Sequence, residues 1–323
     1  MRRDLQHLPM VRRRVTIEVE PDYEEAVMSS FPGRPVVVGV DGSEPAFTSV
    51  AWAARHASRA GSVLRIVHAF GWPLVRVQSG SSRWTRGLRA EAWTFVEEAR
   101  TRAYAVDPEL EVRVAVPTSF SGPLLLRESA AASLVVVGTH GLGGFSGLVI
   151  GSTGIELAAR AAAPIVVVRG RPADEIHPTA PVLVGYDGSP ASDLAVAAGF
   201  DYATLHDRSV SLLHVSSFGG GPGHVTRRMV DLAATWHRVH PETDVDSHEV
   251  NGHPAGGLTE ASQDAALVVV GSRGRGGFRG LALGSVSQAL LHHAHCPVMV
   301  LPPALLVQRR DAEPSQVPRP VAR

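Results

Sequence analysis

The feature that most constrains this chain is that its core is written twice. Residues 135–152 read VVVGTHGLGGFSGLVIGS and residues 268–285 read VVVGSRGRGGFRGLALGS. Both carry an apolar run, a glycine-rich stretch and a closing Gly-Ser at the same spacing. Other segments repeat as well. PVVVGVDGSEPA from Pro35 matches PVLVGYDGSPAS from Pro181, and APIVVV from Ala163 matches CPVMVL from Cys296. Asp41 to His68 and Asp187 to His214 are both 27 residues, and Gly138 to Pro164 and Gly271 to Pro297 are both 26. Only the middle differs, with 70 residues from His68 to Gly138 against 57 from His214 to Gly271. Chance apolar similarity would not hold this register, so the chain is a duplicated folded unit.

Each unit alternates short β-branched runs with helical periods. VVVGV and VLVGY are continuous apolar runs of the kind that form strands buried on both faces. DGSEPAFTSVAWAARHASRAG then predicts a turn and a helix, with Ser43 as N-cap, Pro45 in the first turn and Gly61 at the stop. Val50, Ala53, Ala54 and Ala57 form its apolar stripe. Continued to PIVVV and PVMVL, the pattern predicts five parallel strands per unit, flanked by helices and joined by right-handed crossovers. The expected fold is α/β, two tandem Rossmann-like domains. The expected division is a mobile tail at 1–30, a first domain at 31–170, a linker at 171–180, a second domain at 181–303 and a mobile tail at 304–323. The basic cluster Arg12–Arg14 falls in the first tail and reads as solvated.

Composition narrows the function. A chain of 323 residues exceeds one ordinary core, and 31 basic residues balance 31 acidic ones, which argues against a nucleic-acid or polybasic membrane binder. All the basic residues other than histidine are arginine. A Walker A lysine, a Schiff base and a lysine general base are therefore excluded. Cys296 stands alone, which rules out an intramolecular disulfide and suits a reducing compartment. No apolar run approaches the roughly 18 residues of a membrane span, and the amino terminus lacks a signal-peptide core. A cytoplasmic location is expected.

The glycine spacing carries the chemistry. In each copy a strand ends at a glycine (Gly138, Gly271), a second follows after two residues (Gly141, Gly274), and Gly-Ser comes after nine more (Gly151–Ser152, Gly284–Ser285). Such a loop stands at the carboxyl edge of the sheet, where open α/β folds bind ligands. Glycines there permit positive φ and let main-chain N–H groups approach an anion. The Gly-Ser begins a helix whose unpaired N–H groups and positive dipole end face the same space, and Ser152, Ser285 and Thr153 add hydroxyls. The expected product is a phosphate cradle made mostly of backbone. The dinucleotide G-x-G-x-x-G fingerprint is absent after the first strand, where GVDGSEP and GYDGSPA stand instead.

G-x2-G-x9-G-[ST] after an apolar strand, with an earlier strand ending in Asp-Gly-Ser, resembles the ATP-binding branch of the universal stress protein family. The resemblance spans most of the chain, and the tandem layout is similar to that of its two-domain members. It implies ATP as ligand, with Mg²⁺ held chiefly by the phosphates. It places Asp41 and Asp187 at the ribose or adenine, and Ala69 and Val215 where main-chain groups read the adenine edge. The strand ends Gly39, Val40, Gly185 and Tyr186, with Val137 and Val270 before the loops, border the same space. Gly138, Gly141, Gly151, Ser152 and Thr153, with Gly271, Gly274, Gly284, Ser285 and Val286, are then the phosphate residues. His140 and Arg273 share one loop slot. Arg273 is always charged, so the second site is expected to hold phosphate better. The family's final strand pairs domains about a two-fold axis, so the two units are expected to pair with each other. A homodimer and an unnamed protein partner remain open.

Bland readings compete at several positions. Asp41 and Asp187 can simply cap an Asp-Gly-Ser turn. His68 and His214 read as packed neutral residues. His292, His293, His295 and Cys296 lack the spaced pairs of a zinc site and read as a helix terminus. Trp52, Trp84, Trp93 and Trp236 read as packing. For function, a nucleotide-responsive regulatory module stands beside a slow ATPase or phosphotransferase and a scaffold with vestigial sites. Neither copy repeats an acid or base beside the loop, which favours the module.

Overall fold

The computed structural model describes residues 33–71, 82–139, 151–170, 176–216, 223–275 and 283–307, and side chains in the helix beginning at Ser82 are described from 89 onward. In the first half β1 (Val36–Gly39), α1 (Glu44–Arg59), β2 (Leu64–Val67), α2 (Ser82–Val106) and β3 (Val112–Ala115) follow in order. Then come α3 (Ser121–Ser129), β4 (Leu134–Gly138), α4 (Ser152–Arg160) and β5 (Ile165–Val168). The second half repeats this as β6 (Val182–Gly185), α5 (Pro190–Leu205), β7 (Val210–Ser216), α6 (His224–Val239) and β8 (Val245–Asn251). It closes with α7 (Pro254–Ala261), β9 (Leu267–Gly271), α8 (Ser285–His293) and β10 (Val298–Leu301).

Local chemistry sets the helix ends. Ser43 caps α1, its Oγ accepting from Ala46 N–H at 3.4 Å, and Ser189 caps α5 through Ser192 N–H at 3.2 Å. Helix α1 stops at Ala60, and Gly61 leaves it at φ +59°. The matching residue in the second half is Asp207, which takes φ +53° although it carries a side chain.

The ten strands form one sheet in the order β3-β2-β1-β4-β5-β10-β9-β6-β7-β8. Pairing is parallel within each half and antiparallel where β5 meets β10, with Met299 opposite Val166. Antiparallel pairing of equivalent strands is what a two-fold relation between the halves produces. The apolar runs that would be exposed edges in an isolated unit are thereby sealed. One core lies on the α1, α2, α5 and α6 face, the other on the α3, α4, α7 and α8 face, and each runs through both halves.

The seam has further ties. Arg169, just past β5, crosses to the second half and donates through Nη1 to the carbonyls of Leu290 and Leu291, capping α8. Gly170 follows at φ +73°, and a Cβ there would fall 2.0 Å from the His295 carbonyl oxygen. The connecting segment is less of a free tether than its polar sequence suggests. Ile176 and Ala180 are buried with Ala266, and Arg208 Nη1 donates to the carbonyls of His177, Pro178 and Ala180. Residues 304–307 add a helical turn, with Leu305 packed on the first core. Residues 1–32, including Arg12–Arg14, and 308–323 lie outside the described residues.

Candidate functional site

Strands β6 and β9 are parallel neighbours, with Val184 opposite Val269, so the turns after them open over one carboxyl edge. A cavity of about 560 Å³ lies there. The end of β6 gives it Gly185, Tyr186 and Asp187, and β7 gives Val215. The end of β9 and its loop give Val270, Gly271, Arg273 and Gly274. The start of α8 gives Gly284, Ser285 and Val286. Every second-half position that the resemblance assigned to the nucleotide thus lines the same hollow, while His214 does not.

The helix at this cavity begins without a side-chain cap. Gly284 occupies the N-cap position of α8 and has no hydroxyl to offer, whereas Ser43 and Ser189 satisfy their own helices. Gly151 at the start of α4 is likewise uncapped by a side chain. The first-turn N–H groups of α8 therefore present their partial positive charge to the cavity. The Gly284 amide itself donates to the Ser272 carbonyl at 2.8 Å, which folds the loop end back onto the strand tip. Ser287 Oγ donates to the Ser272 carbonyl at 2.9 Å and so braces the same corner.

The reason for the loop glycines differs from expectation. Among the described motif glycines Gly138, Gly151, Gly271, Gly274 and Gly284, none adopts positive φ. Close approach is what requires Gly138, Gly271 and Gly274, whereas a Cβ on Gly151 would meet nothing closer than 4.0 Å. A Cβ on Gly271 would lie 2.6 Å from Ala191 Cβ, and one on Gly274 would lie 2.3 Å from Asp187 Oδ2. Positive φ belongs instead to Gly42 and Gly188, in the Asp-Gly-Ser turns.

Asp187 joins the two walls. Its Oδ1 accepts from Ser189 N–H at 2.9 Å and its Oδ2 from Arg275 N–H at 2.9 Å. Burial opposes its ionisation, but hydrogen bonds from Ser189 and from Arg275 N–H outweigh it and hold the carboxyl below the usual range. Asp187 is thus a turn cap and a clasp on the glycine loop. The Arg275 side chain extends the clasp, with Nη2 donating to the Gly188 carbonyl at 3.0 Å. Asp41 likewise accepts from Ser43 N–H at 3.0 Å and from Ser43 Oγ at 2.6 Å.

His68 and His214 behave as a matched pair of structural residues. His68 Nδ1 meets the Val40 carbonyl at 2.8 Å, and His214 Nδ1 meets the Tyr186 carbonyl at the same distance. Each donates a proton to the strand end and so locks the turn that carries the aspartate. Burial pushes the His68 imidazole below its ordinary value despite that bond. Val215 stands within β7 opposite Val250, while Ala69 lies beyond the end of β2, where its carbonyl accepts from Gly71 N–H at 3.0 Å.

In the first half Gly39, Val40, Asp41, Ala69, Val137 and Gly138 occupy the corresponding strand ends, and Gly151, Ser152 and Thr153 start α4. Thr153 Oγ1 is 3.0 Å from Ser121 Oγ on α3. His140 and Gly141 lie outside the described residues. The two turns also differ in their neighbours. A Cβ on Gly42 would fall 2.6 Å from the Phe95 ring, whereas one on Gly188 would meet the Arg275 guanidinium at 2.4 Å.

Several cavity residues escaped the sequence reading. Arg275 sits at a loop position that the glycine spacing leaves open, and Leu213 and Leu258 look like ordinary core residues until β7 and α7 pack beside β6. Other expectations concern residues away from the cavity. Trp52 is buried, and Trp93 and Trp236 pack against the first core, while the Trp84 side chain is outside the described set. His292 and His293 fill the last turn of α8, with their rings inclined at 46°.

A cavity of this size is ordinary for a small-molecule site. Its uncapped helix start, arginine rim, buffered carboxylate and apolar wall from Leu213, Val215 and Leu258 fit an anion joined to an apolar ring system. No described helix is long and apolar enough to cross a membrane. The model of the universal stress protein family matches residues 33–169 and again residues 179–302. The universal stress protein Rv2623 of Mycobacterium tuberculosis is 36% identical over 288 residues, covering 82% of this chain and 95% of that protein. Universal stress protein Rv2005c of the same species is 33% identical over 284 residues, covering 82% and 96%. Among solved structures, a universal stress protein from Archaeoglobus fulgidus superposes with a TM-score of 0.66 at 18% identity, covering 83% of this chain and 96% of that one.

Proposed function

Because the chain belongs to the universal stress protein family, we propose that it is an adenine-nucleotide-binding regulatory module for stress adaptation, with one ATP site in each half. The domains run over 31–170 and 181–303, with 171–180 as linker and tails outside them. The observation that carries the reading is the second-half cavity of about 560 Å³, which an uncapped helix start, a glycine loop and Asp187 line together.

In this reading the phosphates take the α8 N–H groups and the Arg273 guanidinium, without any lysine. Asp187 accepts from a ribose hydroxyl. The adenine lies on the apolar wall beside Val215. Mg²⁺ is carried by the phosphates and water, as its chemistry favours. The first half uses Asp41, Ala69, Gly138, His140, Gly141, Gly151, Ser152 and Thr153 in the same way. With no repeated acid or base at either loop, the chain's own residues bind and orient the nucleotide and do not supply a hydrolytic group.

The test is direct. The protein is purified, denatured and examined for released adenine nucleotide, and phosphate release is then followed with added ATP. Bound ATP with negligible turnover supports the module. Several turnovers per minute would replace it with an ATPase, and a protein that neither carries nor binds nucleotide would leave a scaffold.

A further inference from the structure

We propose that the second-half cavity accommodates an adenine nucleotide bearing an organic group on its terminal phosphate, and that this group occupies an adjoining cleft between the halves. The proposal rests on the nucleotide reading above. The cleft measures about 430 Å³ and is lined by Ser152, Ile155, Glu156, Ala159 and Arg160 of α4 together with Arg273. Arg273 also lines the 560 Å³ cavity, so one guanidinium-bearing residue stands at the junction of the two hollows.

The α4 residues recur at intervals of three and four, which places them on one helix face turned towards the second half. Ile155 and Ala159 are half-buried and form an apolar floor. Glu156 and Arg160 make an ion pair at 2.8 Å along the rim. Phosphates held at the α8 N-terminus reach Arg273 first. A plain triphosphate ends there and leaves the floor uncovered. A nucleotide whose last phosphate is esterified continues past Arg273 onto the apolar floor, where burying carbon against Ile155 and Ala159 adds affinity. A second nucleoside and a pantetheine-like arm share this chemistry. The sequence of the first half differs at this point, since His140 replaces Arg273 in the equivalent slot.

The experiment is calorimetric titration of the full chain with ATP, with diadenosine tetraphosphate and with coenzyme A. At least one extended ligand should bind roughly tenfold more tightly than ATP. The one that does so distinguishes a second nucleoside from a pantetheine arm. Ala159→Trp, which fills the floor, should erase that gain and leave ATP affinity unchanged. Where that variant fails to fold, Arg160→Glu on the exposed rim should reduce the gain with ATP again unaffected. The proposal is overturned if ATP binds and neither extended ligand exceeds it, or if the gain survives in these variants. Failure of all three ligands to bind would instead remove the nucleotide reading on which it stands.

Discussion

His56 Nδ1 and His206 Nε2 stand 2.9 Å apart, one imidazole from each half of the molecule. They belong to a run of stacked rings, Trp52, His56, Tyr202 and His206, in which Tyr202 and His206 approach to 4.0 Å between centroids. One histidine donates and the other accepts, so at least one ring stays neutral, and burial disfavours charging either.

Acid should therefore loosen the seam. Burial lowers the His56 pKa to about 4. His206 falls to about 3 through burial, then through His56, Arg59 and Arg208, against the opposing pull of Asp207. Unfolded imidazoles protonate near 6.5, so below that pH the unfolded chain binds more protons than the folded one. Stability is full above pH 6.5 and falls as the pH drops towards 4. Urea titrations between pH 7 and 4.5 should show a loss of about 5 kcal/mol, and His56→Leu with His206→Leu should flatten the slope. An unchanged slope in that double variant would remove the pair from the account.

Gly170→Ala should damage the same seam by a steric route. Its positive φ and the 2.0 Å approach of the His295 carbonyl leave no room for a methyl group. We expect a loss of about 2–4 kcal/mol in chemical denaturation. Alanine at Gly61, which also has positive φ but nothing within 4 Å, should cost about 1 kcal/mol.

The buried Arg65–Glu128 pair, with Nε to Oε2 at 2.9 Å and side chains 1% and 2% exposed, gives a third test. Its equivalent strand position in the second half is Ser211, so the fold itself does not require the ion pair. Glu128→Gln or Arg65→Met alone should cost about 3–5 kcal/mol by leaving one buried charge without its partner. Arg65→Met combined with Glu128→Leu should recover most of that loss. Equal damage from the single and double changes would contradict this.

For the site, Gly274→Ala should be enough to empty the second half. The added methyl would fall 2.3 Å from Asp187 Oδ2 and break the clasp that holds the loop. Nucleotide content after denaturation should drop by one equivalent while the melting temperature changes by only a few degrees. Retention of full content would show that the loop is not where phosphate is held. Gly274→Asp acts more harshly, since it also sets a second carboxylate against the first.

Much of the architecture was legible because buried parallel strands print themselves as continuous β-branched runs, and because the repeat fixes their order twice. Ser43 and Gly61 announced the ends of α1 through chemistry that works within a few residues. The positions around the second cavity were legible for the same reason, since they sit at strand ends whose register is shared. What the loop glycines do was not legible. Spacing marks where a side chain is excluded, but only the folded chain shows that Ala191 excludes one at Gly271 and Asp187 another at Gly274. Arg169 and Arg275 were missed because the groups they bond lie 51 or more residues away in the chain, across the seam for Arg169 and within the second half for Arg275, and Ile176 because it packs on Ala266.

The antiparallel contact of β5 with β10 has an outcome that separate subunits could not reach. In a symmetric pair of identical chains, whatever faces the axis from one side must face it from the other. Here the partners are fused, so Trp52 can lie against Tyr202, a histidine can meet an unlike position, and one glycine loop can gather arginines that its twin lacks. Every molecule thus carries two unlike strand-to-helix corners in a fixed one-to-one ratio, and each corner is free to diverge without waiting for the other.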